Sequence, residues 1–405
     1  MEILSEKEQA AMGGLLRAVS ADLGTDLGTA VSPEWESAYY AVPRHRFLPD
    51  LVWLESGRGY VRCDREREPE RWLSAAYADA PVVTQVNDGL PPEGDDEAWP
   101  SSSASTPSIV FRMLHMLDVR SGMRVLEVGT GTGWNAGLLA ARLGSEHVTS
   151  VDVDLGLATT AAHTLDSASG LRPRIVGRDG AEGFVPGAPY DRVIATCAVR
   201  TVPYPWVAQT RPGGVILTPW ETPWLCYGLL RLDVGGDGTA SGRFSPHSAF
   251  MLMRGQRTDL RIFRDVVRDE HSPRESVTGL PPWTVTGDDW ALGFTVGLRL
   301  GDVWHAWQEE PDVDGVRSRL WLATTDARSW AAVDWDGKQS DRFTVWQYGP
   351  RRLWDETETA YRWWREVGEP GPGRFGLTVT ADGQLPWLDS PDRPLRSAWR
   401  STPGP

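Results

Sequence analysis

The chain has few cysteines and no long apolar run, and each scarcity excludes a class of protein. Its three cysteines, Cys63, Cys197 and Cys226, are odd in number and far apart, so we expect no disulfide framework and no metal site. No apolar run approaches the roughly 18 residues of a membrane-spanning helix. The charged start of the chain, with Glu6 and Lys7, is unlike a secretory signal. We therefore expect a cytoplasmic protein with reduced thiols.

Positive charge is also scarce. The chain has 41 lysine and arginine residues against 55 acidic residues, and its formal net charge is −14. Because phosphate groups are bound by positive surfaces, we expect neither nucleic acid nor an anionic membrane as a partner. A neutral or basic peptide is compatible with this charge. At 405 residues the chain is too long for one small core, which predicts two domains.

A strand, a glycine-rich turn and a helix are predicted around Val125–Trp134. Gly129, Gly131 and Gly133 have the spacing G-x-G-x-G, and glycine suits a backbone that curls tightly beneath a ligand because it lacks a Cβ atom. Turns that bind a pyrophosphate have the different spacing G-x-G-x-x-G. Glu127 precedes the first glycine, and its charge would repel a phosphate and attract an ammonium group. The turn therefore predicts S-adenosylmethionine, which has a cationic amino-acid tail, as the cofactor.

Acidic residues at the ends of the next two strands support this prediction. Asp152 lies about 20 residues beyond the turn, where a carboxylate can accept both ribose hydroxyls. Asp179 ends the following strand, where its carboxylate can accept the adenine amino group. Each feature has a simpler alternative. Asp152 could be a strand-end cap, Asp179 could belong to an Asp-Gly turn, and residues 129–133 could form an ordinary glycine turn. The predicted cofactor-binding residues are Glu127, Gly129, Thr130, Gly131, Gly133, Asp152, Asp179 and Gly180.

The alternation of strand and helix patterns from residue 124 to residue 219 predicts a parallel, doubly wound sheet. The fold class we expect is α/β, with a Rossmann-like sheet of the class I methyltransferase type and a C-terminal α+β domain. The predicted division is residues 1–120 for a helical and active-site loop region, 121–258 for the cofactor-binding core and 259–405 for the C-terminal extension.

Outside the core the patterns are weaker. Residues 51–100 are predicted to be irregular, with an acidic exposed loop at 93–97, and the runs 225–234 and 248–253 predict a hairpin. The extension is rich in tryptophan, which favours either ordinary packing or an aromatic surface that holds a peptide. Its predicted elements are strands at 294–300, 319–325, 330–335 and 343–348, a helix at 351–367 and a hairpin at 375–384.

Several blocks of the chain resemble the protein-L-isoaspartate (D-aspartate) O-methyltransferase family. The resemblance covers roughly residues 30–255 and rests on blocks that occur in the same order. These blocks are Val42–Phe47, Ala76–Pro81, Ser105–Pro107, Val125–Trp134, Ala188–Asp191 and Gln209–Gly214. The resemblance implies S-adenosylmethionine as methyl donor and a side-chain carboxylate of a peptide or protein as methyl acceptor.

Ser105 matches the serine of the family's Ser-x-Pro active-site loop. The resemblance implies that Ser105 lies beside the transferred methyl group and forms a hydrogen bond with the acceptor carboxylate. Other serines precede it, so the register is open, Ser103 is the second candidate, and a serine-rich loop without a catalytic residue is the alternative. The chain departs from the family in two respects: it has Ser108 where a histidine is usual, and it continues well beyond the usual end.

The resemblance implies two uses for carboxyl methylation. Repair enzymes methylate isoaspartyl residues of damaged proteins, whereas some long relatives in bacterial peptide-biosynthesis clusters methylate an ordinary aspartate of a ribosomally made, macrocyclised peptide. In the second group the methyl ester leads to an aspartimide or an isoaspartate. The extension and the altered Ser-Thr-Pro-Ser loop favour this tailoring activity. Two further hypotheses are a non-catalytic binding partner and a small-molecule methyltransferase, and the oligomeric state stays open.

Overall fold

The structure is a computed structural model that describes residues 4–57, 59–90, 98–226, 228–246 and 248–395. The predicted acidic loop at 93–97 and the last ten residues of the predicted extension lie outside the described residues. The helices are α1 (Glu6–Leu27), α2 (Pro33–Ala41), α3 (Pro69–Ala76), α4 (Pro107–Leu117), α5 (Trp134–Leu143), α6 (Leu155–Ser169), α7 (Tyr204–Ala208), α8 (Pro282–Thr286), α9 (Trp290–Leu300) and α10 (Leu353–Glu366).

The strands begin with β1 (Leu51–Ser56), β2 (Gly59–Asp64), β3 (Val82–Val86), β4 (Pro100–Ala104), β5 (Val125–Val128), β6 (Val148–Asp152), β7 (Arg174–Gly177), β8 (Tyr190–Ala195) and β9 (Thr210–Pro219). They continue with β10 (Leu229–Val234), β11 (Ala240–Ser245), β12 (Arg274–Thr278), β13 (Val303–Glu309), β14 (Ser318–Thr324), β15 (Trp330–Trp335), β16 (Phe343–Tyr348), β17 (Phe375–Thr380) and β18 (Gly383–Leu388). None of the described helices combines the length and apolar character that crossing a membrane requires.

The chain divides into two compact units, each assembled from more than one segment. Unit 1 comprises the described residues of Met1–Cys197, Pro205–Thr218 and Asp233–Gly238. Unit 2 comprises the described residues of Ala198–Tyr204, Pro219–Leu232 and Thr239–Pro405. The three-part division made from the sequence stays a prediction.

Unit 1 contains the parallel sheet, in the order β9-β8-β5-β6-β7. Each neighbouring pair in this order is parallel, and β5 and β6 are buried along their length, as expected for strands covered on both faces. The chain adds β6 and β7 on one side of β5 and then crosses to add β8 and β9 on the other. In such doubly wound sheets, ligands bind at the carboxyl ends of the strands where the order reverses. The predicted α/β fold is confirmed.

Unit 1 also contains a four-stranded antiparallel sheet in the order β2-β1-β3-β4, so the prediction that residues 51–100 are irregular is wrong. β4 has the sequence Pro-Ser-Ser-Ser-Ala, which has a low propensity for strands. Pairing with β3 holds it extended, through Val82 opposite Ala104 and Val83 opposite Ser103. Tertiary pairing of this kind leaves little trace in a local sequence pattern.

Unit 2 contains a five-stranded antiparallel sheet in the order β12-β16-β15-β14-β13, with α9 and α10 in the hydrophobic core of one face. The strand predicted at 294–300 is wrong because these residues belong to α9. The Asp289 side chain caps this helix by accepting the N–H groups of Ala291 and Leu292. A short apolar run does not distinguish a buried strand from a buried helix. The other strands predicted in the extension, the helix and the last hairpin are present.

The hairpin predicted from the runs 225–234 and 248–253 has a different second strand. β10 lies next to β11, which immediately follows the turn at residues 235–238, and β11 in turn pairs with β17. The run 248–253 contributes an isolated bridge, between Leu252 and Ala198. The glycine-rich turn, and not the more apolar run, is therefore the signal that locates the hairpin.

Candidate active site

The carboxyl ends of β5, β6 and β7 are joined by backbone hydrogen bonds. Gly129 N–H donates to the Val151 carbonyl and Arg178 N–H donates to the Asp152 carbonyl, each at 2.8 Å. The residues that follow these three strands are thereby held side by side at one edge of the parallel sheet. This is the edge at which the sequence predicts the cofactor.

The glycine turn after β5 has a backbone that other residues would strain. Gly129, Gly131 and Gly133 have φ values of 97°, 53° and 86°, in the left-handed region that favours glycine. A Cβ atom on Gly129 would lie 2.7 Å from the Thr196 hydroxyl oxygen, and one on Gly133 would lie 3.1 Å from the Ala161 methyl group. The first glycine is therefore required by close packing as well as by conformation, and the third is required by conformation and closely packed against α6.

Glu127 lies within β5, fully buried beside the turn. One carboxylate oxygen accepts a hydrogen bond from the Asn135 amide at 2.7 Å, and the other accepts one from the Ser150 hydroxyl. The Thr130 hydroxyl lies 2.6 Å from the Ser150 hydroxyl and extends this network into the turn. Burial raises the Glu127 pKa to about 7, although both hydrogen bonds act in the opposite direction. A cation bound at the turn would favour the ionised form.

Asp152 ends β6 and is buried against the glycine turn. One carboxylate oxygen accepts Gly131 N–H and the other accepts Asp154 N–H, both at 2.9 Å. Asp154 in turn caps α6 by accepting the N–H groups of Gly156 and Leu157. The Asp152 carboxylate is thus fixed at the tip of its strand, where the sequence places a ribose. Its role toward a ribose stays a proposal.

Asp179 and Gly180 follow β7. The Asp179 carboxylate is exposed and accepts Ala181 N–H at 2.9 Å, which caps a short helical turn. Gly180 is buried, and a Cβ atom there would lie 2.4 Å from a Val128 methyl group. The glycine therefore lets the chain after β7 pack against β5, while the carboxylate faces solvent, where a ligand can reach it. Its role toward an adenine also stays a proposal.

Of the two candidate catalytic serines, Ser103 lies beside this edge. Ser103 belongs to β4, and its carbonyl oxygen lies 3.9 Å from the position that a Cβ atom of Gly131 would occupy. Ser105 follows β4 and is half-buried, and its hydroxyl has no hydrogen-bond partner among the described residues. The structure thus brings the serine-rich loop to the glycine turn within unit 1. Whether either serine is catalytic stays a proposal.

Arg44 is a residue of this region for which the sequence predicts no role, although it lies in one of the resembling blocks. It is fully buried, and its guanidinium donates hydrogen bonds to backbone carbonyls at 2.8–3.3 Å. The carbonyls belong to Ala76, Ala78, Ala80, Ala104 and Ser105. Burial lowers its pKa to about 10, so the group is still protonated at neutral pH. An arginine at the start of a short turn between two prolines, Pro43 and Pro49, is the signal that could have revealed it.

The residues present fit S-adenosylmethionine. The turn supplies a tightly curled backbone without side chains at Gly129 and Gly131, and the strand ends supply carboxylates at Asp152 and Asp179. A doubly wound parallel sheet with these groups at its carboxyl edge defines a class I S-adenosylmethionine-dependent methyltransferase.

Comparison with known proteins identifies the family within this class. The model of the family described as "Protein-L-isoaspartate(D-aspartate) O-methyltransferase (PCMT)" matches residues 61–244. A protein-L-isoaspartate O-methyltransferase of Pyrococcus horikoshii is 32% identical over 200 residues, which cover 49% of this chain and 84% of the relative. One from Pyrococcus abyssi is 30% identical over 229 residues, covering 56% and 90%. The chain belongs to the protein-L-isoaspartate O-methyltransferase family and is an S-adenosylmethionine-dependent O-methyltransferase.

A solved structure named protein-L-isoaspartate O-methyltransferase is similar in fold. It superimposes with a TM-score of 0.52 at 20% sequence identity and covers 94% of this chain and 100% of its own. The fold is therefore shared well beyond the residues that the family model matches. The residues after 244 lie outside that match and contain most of unit 2.

Proposed function

We propose that the enzyme methylates the side-chain carboxylate of an aspartate in a ribosomally made, macrocyclic peptide, which leads to an aspartimide, an isoaspartate or both. One observation carries the proposal. Beyond the matched residues the chain forms a tryptophan-rich unit with its own sheet and core, and its exposed Trp283, Trp290 and Trp307 support an aromatic surface for a peptide substrate. The serine loop also departs from the family at Ser108, which is buried in the first turn of α4.

The chemistry places modest demands on the side chains. The acceptor carboxylate has a reference pKa near 4 and is ionised at neutral pH, so no general base is required. Bound S-adenosylmethionine supplies the electrophilic methyl group. The Ser105 hydroxyl, half-buried two residues beyond Ser103, donates a hydrogen bond to one carboxylate oxygen and leaves the other to attack the methyl carbon. Alignment and exclusion of water are then the enzyme's main contributions.

The fate of the product follows from its own reactivity. In the methyl ester the carbonyl carbon is open to attack by the backbone nitrogen of the next residue. A C–N bond forms, the methoxy group leaves as methanol with the amide proton, and a five-membered imide results. Water then opens the imide at either carbonyl, which gives aspartate or isoaspartate. No further side chain of the enzyme is needed for these steps.

Repair of isoaspartyl residues in damaged proteins is the second candidate function. It is favoured by the Pyrococcus relatives, which carry the name of that activity, and by the family model, whose match to residues 61–244 includes the glycine turn and the serine loop. The same residues would serve both functions because an isoaspartyl carboxylate and an aspartyl carboxylate react alike. The difference lies in the backbone around the acceptor.

The two functions separate in one assay with methyl-labelled S-adenosylmethionine. The acceptors are an isoaspartyl hexapeptide, its aspartyl counterpart and a lactam-cyclised peptide with one aspartate in the ring. Tailoring predicts that kcat/KM for the cyclic peptide exceeds that for the isoaspartyl hexapeptide at least 100-fold. The reverse order would establish repair. Failure of S-adenosylhomocysteine to bind in calorimetry would contradict both and favour a non-catalytic partner.

A further inference from the structure

Two loops of unit 1 meet at one buried guanidinium. The first loop connects α3 to β3 and contributes the carbonyls of residues 76, 78 and 80 to Arg44. The second connects β4 to α4 and contributes the carbonyls of Ala104 and Ser105, both at 3.0 Å. These contacts pair the two terminal nitrogens of a charge that has no exposure to water. Because an unsatisfied buried cation is costly, the carbonyls and the guanidinium hold one another in place.

A second link joins the same two loops. The Asp79 carboxylate, on the first loop, accepts Ser108 N–H at 2.8 Å in the first turn of α4. The N–H groups of that turn have no partner within the helix, so the contact caps α4 from outside. Asp79 also attracts Arg44 electrostatically. Ser105 therefore lies between two anchored points, its own carbonyl on one side and Ser108 N–H on the other.

We propose that Arg44 is a positioning residue for methyl transfer, which sets the location of the Ser105 hydroxyl relative to the glycine turn. The inference rests on the proposed role of Ser105. Arginine suits this task because its planar guanidinium presents several donors in fixed directions, whereas lysine is a flexible point charge. A misplacement of about 1 Å at a reacting centre can lower a rate about 100-fold, so loosening the loop affects turnover more than binding.

Arg192 provides a matched control within the same unit. It is also buried, and it donates to the carbonyls of Leu117, Asp118 and Asp191 at 2.6–3.0 Å. Its contacts with Leu117 and Asp118 lie at the end of α4 opposite to Ser105, and its contact with Asp191 lies within β8. A lysine at either position costs buried hydrogen bonds, but only the change at Arg44 releases the serine loop.

The test compares Arg44→Lys with Arg192→Lys in the full chain. Both variants are expected to lower Tm, and both keep the Kd for S-adenosylhomocysteine within threefold of the wild type. With the acceptor that the wild type methylates best, Arg44→Lys lowers kcat at least 30-fold and changes KM little. Arg192→Lys lowers kcat less than threefold with the same acceptor. Arg44→Met lowers kcat more than Arg44→Lys does, because the lysine ammonium group still reaches some of the carbonyls that the guanidinium binds.

Hydrogen exchange measures how firmly the same loop is held, independently of catalytic activity. In the S-adenosylhomocysteine complex, Arg44→Lys accelerates exchange of the amides of residues 104–106 and 108 at least tenfold relative to Arg192→Lys. Equal exchange and equal loss of kcat in the two variants would overturn the inference. An inactive wild type with this exchange difference would contradict the proposed function and leave the loop assignment supported.

A second pair of variants covers the case in which Arg44→Lys does not fold. Asp79 is exposed, and Asp79→Ala removes the contact with Ser108 N–H, whereas Asp79→Asn retains an acceptor oxygen. We expect kcat to fall at least tenfold for the alanine variant and less than threefold for the asparagine variant. Wild-type kcat and wild-type exchange in Asp79→Ala would show that the loop needs no anchoring.

Discussion

Glu127 is a carboxylic acid without exposure to water, and its raised pKa makes it a costly residue for the protein without cofactor. In the unfolded chain its pKa is 4.5, and in the folded protein it is about 7, so the folded state binds the proton more tightly. Its contribution to stability is therefore most favourable below pH 4.5 and declines as the pH rises to 7. At about 1.4 kcal/mol per pH unit, the decline is on the order of 3 kcal/mol.

Glu127→Gln removes this dependence. Between pH 5 and pH 8 we expect the free energy of urea unfolding of the wild type to fall relative to that of the variant, so that the variant is the more stable at pH 8. Its affinity for S-adenosylhomocysteine falls about tenfold at the same pH, because the field that attracts the ammonium group is lost. Glu36→Gln, an exposed change on α2, is the control. Parallel pH profiles for Glu127→Gln and the wild type would contradict the assignment.

Ser105 and Ser103 differ in what a test of each should show. Removing a donor that orients a reacting group commonly lowers kcat about 10²-fold. We therefore expect Ser105→Ala to lower kcat by that order, with an unchanged Kd for S-adenosylhomocysteine. Ser103 lies within β4, where its backbone pairs with Val83. We therefore expect the kcat of Ser103→Ala to stay within threefold of the wild-type value. Steady-state kinetics on the wild type's best acceptor compares them. A defect in Ser103→Ala alone would move the catalytic register by two residues.

At the scale of single elements, the sequence was informative where local patterns and tertiary structure agree. The strands β5 to β8 and the glycine turn are strongly patterned, and they lie within the parallel sheet predicted between residues 124 and 219. Two kinds of element were missed. β4 is extended because it pairs with β3, and α9 was predicted as a strand because its apolar run has no distinctive period. Both depend on partners that are distant in sequence.

The segment after β8, residues 200–202, is held in place by hydrogen bonds from side chains. Within unit 2, Gln256 accepts the N–H groups of Arg200 and Thr201, and Gln384 accepts Val202 N–H and donates to the Arg200 carbonyl. A lost hydrogen bond of this type costs about 1 kcal/mol. The segment therefore takes its conformation from residues far along the chain.

Gln384→Ala tests this dependence. We expect the amides of residues 200–202 to exchange about tenfold faster, since two hydrogen bonds of the segment are lost. Gln339→Ala, an exposed change in the turn after β15, is the control and should leave the exchange unaltered. Hydrogen exchange with residue resolution makes the measurement. Unchanged protection in Gln384→Ala would show that the backbone of the segment is held by other contacts.

For the molecule as a whole, the sequence predicts the edge of the parallel sheet and the acidic residues there. It does not predict the buried groups that hold the neighbouring loops in place. Glu127, Asp152 and Asp179 follow from strand ends and spacing, which are local properties. The guanidinium of Arg44 gathers carbonyls from loops that are 32 to 61 residues away, and no spacing rule specifies such a set. Long-range packing of this kind is visible only in three dimensions.

The sequence also suggested a boundary near residue 258, and the contacts within unit 2 predict what a cut there would do. The segment before it contains Phe244, whose ring lies 5.1 Å from that of Phe294, and Trp220, at 6.3 Å from the same ring. It also contains β11, which pairs with β17. A chain that ends at residue 258 would expose these aromatic rings together with an unpaired strand edge.

We therefore expect residues 1–258 to aggregate. Exposed aromatic surface and an open strand edge favour association between chains. Size-exclusion chromatography, binding of a hydrophobic dye and calorimetry with S-adenosylhomocysteine would compare the fragment with the full chain. A monomeric fragment with no dye binding and the Kd of the full chain would show that the cofactor site folds without unit 2. In that event the extension would be an appended module, and its tryptophans would be free to serve the substrate alone.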